Sequence, residues 1–211
     1  MKIELQKALP AEIEARSMEI IAAELGRTLD PENEAVIKRV IHTSADFDYA
    51  DNLWFSEHAV QKAAEALKNG ASIVTDTQMA KAGINKTALS SLGGEAYCFM
   101  ADEDVAQAAK RNGTTRAAAS MEKAAGLQKP LIFAIGNAPT ALVRLCELIE
   151  EKKIAPKLVI GVPVGFVNVV ESKELLMQAP VPSIVARGRK GGSNVAAAIV
   201  NAILYQIAKR P

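Results

Sequence analysis

The sequence predicts a three-layer α/β/α domain, and three observations carry that prediction. From Ala71 onward, five short apolar runs alternate with amphipathic segments. The runs are apolar without interruption, so both faces of each strand are covered, which is the setting of a parallel sheet between helices. No internal repeat, low-complexity block or long linker divides the chain, so residues 1–211 are expected to form one domain. The fold that satisfies all three is doubly wound and flavodoxin-like, with a parallel five-stranded sheet and extra helices at the amino end.

The first third reads as helices. Residues 10–26 place Ile13, Ser17, Ile20, Ile21 and Leu25 near one face of a 3.6-residue period. Asp30-Pro31 signals a second helix, an N-cap acceptor followed by proline at the first helical position. That helix carries Ala35, Val36, Val40 and Ile41 and ends around His42. Ser56 starts a third, which Asn69-Gly70 terminates. The strands then follow at 71–76, 96–100, 130–136, 157–165 and 182–188. Between and after them lie helical stretches at 78–84, 104–113, 115–126, 138–153, 171–178 and from Gly191 to Arg210. In such sheets ligands bind outside the carboxyl ends of the strands. Those ends are Asp76-Thr77, Met100, Gly136-Asn137, Gly165-Phe166 and Arg187-Gly188.

Composition narrows the function. The chain is 49% hydrophobic and 23% charged, the balance of a folded protein rather than a disordered one. A formal net charge of +1 and 4% aromatic residues argue against a nucleic-acid-coating protein. No uncharged apolar run reaches the roughly 18 residues of a membrane span. The amino terminus has no apolar core of signal-peptide length. Cys98 and Cys146 lie in apolar runs and read as buried free thiols of a reducing compartment, so a cytoplasmic location is expected.

Residues able to carry chemistry are few. Of two histidines, His58 reads as solvated surface on the first turn of its helix. His42 ends a helix between Ile41 and Thr43, either as a core or capping residue or as the group that titrates near neutral pH. No cluster has metal-ligand spacing; Asp46, Asp48 and Asp51 resemble a calcium loop in outline but lack its glycine and terminal glutamate. The stretch RGRKGGSN (187–194) is glycine-rich and opens a helix, which favours an anion at Gly191, Gly192 and Ser193. Arg16, Arg39, Arg116, Arg187 and Arg189, with Lys190, recur beside strand ends and helix starts. Singly each is a surface charge; together they suggest a pocket for a ligand with several carboxylates or phosphates, which guanidinium groups grip bidentately.

Long ordered stretches give the chain a family resemblance. They are ARS (15–17), IKRVIHTSADFDY (37–49), LWFS (53–56), IVTDTQMAKAGINK (73–86), TRAAASM (115–121), AIGNAPTALVRL (134–145), GVPVGFVNVVESKELL (161–176) and GRKGGSNVAAAIVNAILY (188–205). With them the sequence resembles the precorrin-8X methylmutase family, most of all its cobalt-precorrin-8 branch, from about Glu12 to Tyr205. The resemblance implies a flavodoxin-like fold, a homodimer, and a late step of corrin-ring assembly for cobalamin. The implied reaction moves a methyl group from ring carbon 11 to ring carbon 12 by an intramolecular 1,5-sigmatropic shift, with no external cofactor. Its product is cobyrinate from a cobalt-bearing ring, or hydrogenobyrinate from a metal-free one. The family's catalytic histidine matches His42, and its substrate contacts near the first two helices match Ser17 and Arg39.

The residues suit that chemistry. A methyl shift across a conjugated macrocycle needs no nucleophile or metal from the protein. It is helped by an acid that protonates a ring nitrogen beside the migrating centre, worth roughly 10²–10⁴-fold. Arginines and helix starts would hold the acetate and propionate arms and so fix the ring over His42. Asn137 either hydrogen-bonds the macrocycle or caps the next helix. Thr77 contacts ligand, while Asp76 caps the following turn. Arg116 is a carboxylate ligand or a surface charge, and Arg16 a ligand, packing or interface residue. Two competing readings are a non-catalytic corrinoid carrier and a nucleotide-binding domain; the second lacks a complete phosphate motif.

Overall fold

Each of the five apolar runs becomes a strand. The computed structural model describes residues 9–208; the ends of the expected 1–211 domain, and part of the amino-terminal stretch read for a signal peptide, lie outside them. The chain opens with helices α1 (Pro10–Leu25), α2 (Glu34–Ser44) and α3 (Tyr49–Asn52). Strand β1 (Leu53–Phe55), helix α4 (Ala59–Lys68) and strand β2 (Ser72–Thr75) follow. Then come α5 (Gln78–Gly83), α6 (Lys86–Ser91), β3 (Ala96–Tyr97), α7 (Glu103–Asn112) and α8 (Arg116–Ala125). The chain continues through β4 (Leu131–Ile135), α9 (Pro139–Glu150), β5 (Leu158–Gly161), α10 (Val169–Gln178), β6 (Ser183–Ala186) and α11 (Ser193–Ile207).

The sheet order is β1-β6-β5-β4-β2-β3. Counting only the five parallel strands in chain order, this is 2-1-3-4-5, the flavodoxin-like winding, whose direction reverses between β2 and β4. Successive side chains point to opposite faces. Ile73, Ile132, Ile160 and Ile184 pack with α2, α4 and α11, while Val74, Phe133, Val159 and Val185 pack with α8, α9 and α10. α11 is buried on most of its circumference from Val195 to Leu204, because α2, α4 and α5 flank it while the sheet lies beneath.

Three details depart from the sequence reading. A sixth strand, β1, pairs antiparallel with β6 (Leu53 opposite Ala186) and makes an edge from only three residues, too few for a periodic signal. Asp30-Pro31 starts a turn rather than the second helix: the Asp30 carboxylate accepts from the Asn33 amide side chain and the Glu32 N–H, and α2 begins at Glu34 and runs on to Ser44. The Ser56 hydroxyl likewise does not cap α4. It accepts from Ser183 N–H at 2.9 Å and pins β1 to β6, while His58, exposed and at φ 55°, stands at the head of α4 with Nδ1 3.1 Å from Glu32.

Candidate active site

The winding reverses at the carboxyl ends of β2 and β4, which is where sheets of this order have their ligand crevice. Asp76 follows β2 directly and is 1% exposed. Its carboxylate accepts the backbone N–H groups of Gly136, Asn137 and Ala138 at 2.9, 2.8 and 2.6 Å. Burial pushes its carboxyl above the ordinary range, and the three amides work against that. Asp76 therefore does not cap its own turn; it occupies the amides at the end of β4, which are then closed to any substrate anion. The exposed Asn137 side chain makes no cap to α9, which has Ala138 as N-cap and no side-chain acceptor there.

The start of α11 packs directly on this crevice. A Cβ on Gly136 would lie 2.7 Å from Ser193 Cα and 2.8 Å from Gly192 O, so only glycine lets the helix start approach β4 this closely. Thr77, the N-cap of α5, accepts from Ala80 N–H, and its hydroxyl lies 2.7 Å from the Ser193 hydroxyl. Gly192 N–H donates to Val162 O at the end of β5. α11 has no side-chain cap, so the first-turn N–H groups at Ser193, Asn194 and Val195 carry the positive end of the helix without an intrahelical acceptor. Thr77, Asn137, Gly191, Gly192 and Ser193 thus meet at one edge, as expected from the sequence.

His42 lies on the last turn of α2, and the segment that follows it is tied to the loop before α11. His42 is exposed and has no side-chain hydrogen bond among the described residues, so it is neither a core nor a capping histidine. Four residues later, Asp46 accepts from Lys190 Nζ at 2.7 Å, and Asp48 accepts from the same nitrogen at 2.6 Å. These ion pairs bind the segment after His42 to the glycine-rich loop that feeds α11. Lys190 holds both carboxylates, which answers the calcium-like outline of this segment, and Asp51 pairs instead with Arg27. The Asp46 carboxyl is held below its usual range by Lys190.

α1 lies along α2, with Arg39 donating to Glu14 at 2.5 Å and Arg27 donating to Asp51 at 2.5 Å. The Ser17 hydroxyl donates to Ile13 O, and the Arg39 guanidinium, besides its pairing with Glu14, lies 5.2 Å over the Tyr205 ring. Arg16 is exposed and paired with Glu19. Arg116 is exposed at the start of α8, whose N-cap Thr115 meets Thr140 of α9 at 2.9 Å, on the β4 side of the crevice. Arg187 follows the carboxyl end of β6, and with Val170, Lys173, Glu174, Met177 and Gly188 it lines a cavity of about 290 Å³ against α10.

Sequence reasoning missed Lys173, a buried cation in the helical stretch 171–178, and the pairing of Lys190 with Asp46 and Asp48, which joins residues far apart in the chain. Phe166, at a strand end the sequence marks, is 81% exposed, and the Arg189 guanidinium lies 5.4 Å over its ring, a contact the sequence does not show. Among the described residues no group of His, Cys, Asp and Glu is placed to hold a metal ion, and no helix is long and apolar enough to cross a membrane. Cys98 and Cys146 are free and buried, and burial pushes the Cys146 thiol up to about 11.

Known proteins share this arrangement over nearly its whole length. A cobalt-precorrin-8 methylmutase of Salmonella typhimurium is 48% identical over 205 residues, covering 94% of this chain and 96% of that protein. One of Priestia megaterium is 47% identical over 195 residues, covering 92% and 87%. The crystal structure of a precorrin-8X methylmutase from Thermus thermophilus superimposes with a TM-score of 0.83 at 40% identity, covering 92% of this chain and 96% of that one. The family model described as precorrin-8X methylmutase matches residues 12–206. With fold, length and sequence all in agreement, the chain belongs to the precorrin-8X methylmutase family and is an enzyme, an isomerase.

Proposed function

We propose that this enzyme moves the methyl group from ring carbon 11 to ring carbon 12 of cobalt-precorrin-8, giving cobyrinate, by an intramolecular 1,5-sigmatropic shift in cobalamin assembly. His42 acts as general acid, donating a proton to a ring nitrogen beside the migrating centre and drawing electron density from the conjugated system. Breaking the bond to carbon 11 and forming the bond to carbon 12 move one methyl group within one molecule, so no co-reactant enters. The observation that carries this reading is an imidazole standing exposed and without a side-chain hydrogen bond among the described residues, on a helix whose following segment is ion-paired to the loop that feeds the N–H groups of α11.

The substrate's carboxylate arms suit that edge. The amides at the head of α11, the Ser193 and Thr77 hydroxyls and Asn137 form one wall, with Gly191 and Gly192 admitting the close approach. Ser17 and Arg39 stand on the α1–α2 side, and an incoming carboxylate would compete with Glu14 for Arg39. Arg116 serves an arm on the β4 side, and Arg16 and Arg187 serve arms at the periphery. The names of the relatives above, and the FDY and GRKGGSNVAAAIVNA stretches, favour the cobalt-bearing ring over the metal-free one. The cobalt belongs to the substrate, and the reaction takes no cofactor from the protein. The enzyme works in the cytoplasm as a homodimer, without nucleic acid or membrane.

The test is turnover of cobalt-precorrin-8 by His42→Ala and His42→Asn. Both should keep the wild-type melting temperature and lose roughly 10²–10⁴-fold in kcat. Full activity in either variant would end the acid role. A carrier protein would bind the ring without changing its absorbance spectrum, whereas the enzyme shifts it within one turnover.

A further inference from the structure

Lys173 is 1% exposed, and no carboxylate is bonded to it. A buried ammonium without a counter-ion is costly and persists only where its hydrogen bonds are needed. Its Nζ donates to Gly188 O at 2.7 Å and to Lys190 O at 2.8 Å. The carbonyl between them, of Arg189, accepts from Gly165 N–H at 3.2 Å. Three consecutive carbonyls of the loop before α11 are therefore held by the body of the protein.

In a trans peptide the C=O and N–H point in opposite directions. Holding these carbonyls inward turns the N–H groups of Arg189, Lys190 and Gly191 away from the interior. None of the three has an acceptor among the described residues. The same loop is tied on its other side, through the Lys190 side chain, to Asp46 and Asp48 behind His42. One lysine thus orients the backbone of the loop and the next fastens it to the acid's own segment.

We propose that Lys173 is a positioning residue of the active site: by holding the Gly188 and Lys190 carbonyls it presents the amides of residues 189–191 to a carboxylate arm of the substrate, and with Lys190 it sets the distance between that arm and His42. Burial leaves the Lys173 ammonium down at about 8, in keeping with a group kept for its geometry rather than for an ion pair. The proposal rests on the corrin-ring reading above and adds Lys173, which touches neither ring nor arm.

The experiment compares wild type, Lys173→Met, Lys173→Arg and Lys190→Met. Methionine fills the same space without a donor, so Lys173→Met should melt at or above the wild-type temperature. Hydrogen exchange of the Gly192 amide, which this loop holds against Val162 O, should nevertheless quicken at least tenfold. KM for cobalt-precorrin-8 and Kd for cobyrinate should rise about tenfold or more, while kcat falls less than threefold. Lys173→Arg should recover part of the affinity, and Lys190→Met should reproduce the loss without altering exchange at Gly192. Wild-type affinity in a folded Lys173→Met protein, or fast exchange with unchanged KM, overturns the proposal. A fall in kcat alone does the same. If wild type itself neither binds nor converts the ring, the functional reading fails instead, and the exchange data still show whether Lys173 orders the loop.

Discussion

Among the described residues, the buried charged side chains are Asp76 and Lys173, and both serve the backbone at the carboxyl edge. Asp76 collects three N–H groups where β4 ends, and Lys173 feeds two carbonyls where β6 ends. They shape the crevice by opposite means: one removes amide donors from the β4 end, the other exposes donors before α11. Replacing Asp76 with Asn puts an NH₂ group opposite at least one of those three amides and leaves a buried donor unmatched. Asp76→Asn should therefore lose about 1–3 kcal/mol of stability in urea unfolding, with the slope unchanged. A variant as stable as wild type would show that the three hydrogen bonds contribute little. Neither role was legible in the sequence. Asp76 read as a local cap because the chain three residues on looked like its natural partner, whereas the real partners stand 60 residues away. Lys173 lies in ESKELL, whose charges suggest water on every side, and only the packing of α10 on β6 takes it out of water.

At the scale of elements, the sequence was most informative where burial was complete. The five apolar runs became the five parallel strands because strands covered on both faces leave a continuous apolar signature. Helix starts were read less well. Asp30 and Ser56 have the side chains of N-caps, but hydrogen bonds to Asn33 and to β6 claim them. The three-residue β1 exists only because β6 offers it an edge. The contact of α11 with β4 was likewise hidden, although it depends on one glycine. Gly136→Ala must push Ser193 outward, at a cost of about 1–3 kcal/mol for overpacking. Affinity for cobyrinate, measured by absorbance titration, should fall several-fold as the head of α11 moves; unchanged affinity would show that the helix start does not hold the ligand.

On the scale of the whole molecule, the near-neutral charge of +1 takes on a local meaning. Acidic partners offset some of the cations, as Glu14 does Arg39 and Asp46 and Asp48 do Lys190. Arg116, Arg187 and Arg189 have no ion pair among the described residues, and all three lie along the carboxyl edge. The surface also leaves large apolar groups in water, among them Ile13 and Ile20 on α1 and Met79, Phe166 and Val167 near the crevice. A second copy covering part of that surface accords with the expected homodimer. Sedimentation at micromolar concentration should give a species of twice the 22.4 kDa chain mass, and a monomer at every concentration would remove the dimer from the reading.

By itself the sequence determined the class of fold and the five parallel strands, and it singled out the carboxyl edge and His42 as the candidate site. These are properties of local pattern: period, continuous burial and the presence or absence of a residue type. Tertiary structure alone decided which charges are spent on the protein's own backbone and which remain for a ligand. That choice depends on hydrogen bonds between residues distant in the chain, as between Asp76 and Gly136 or Lys173 and Gly188, and on burial that exists only once the layers have packed.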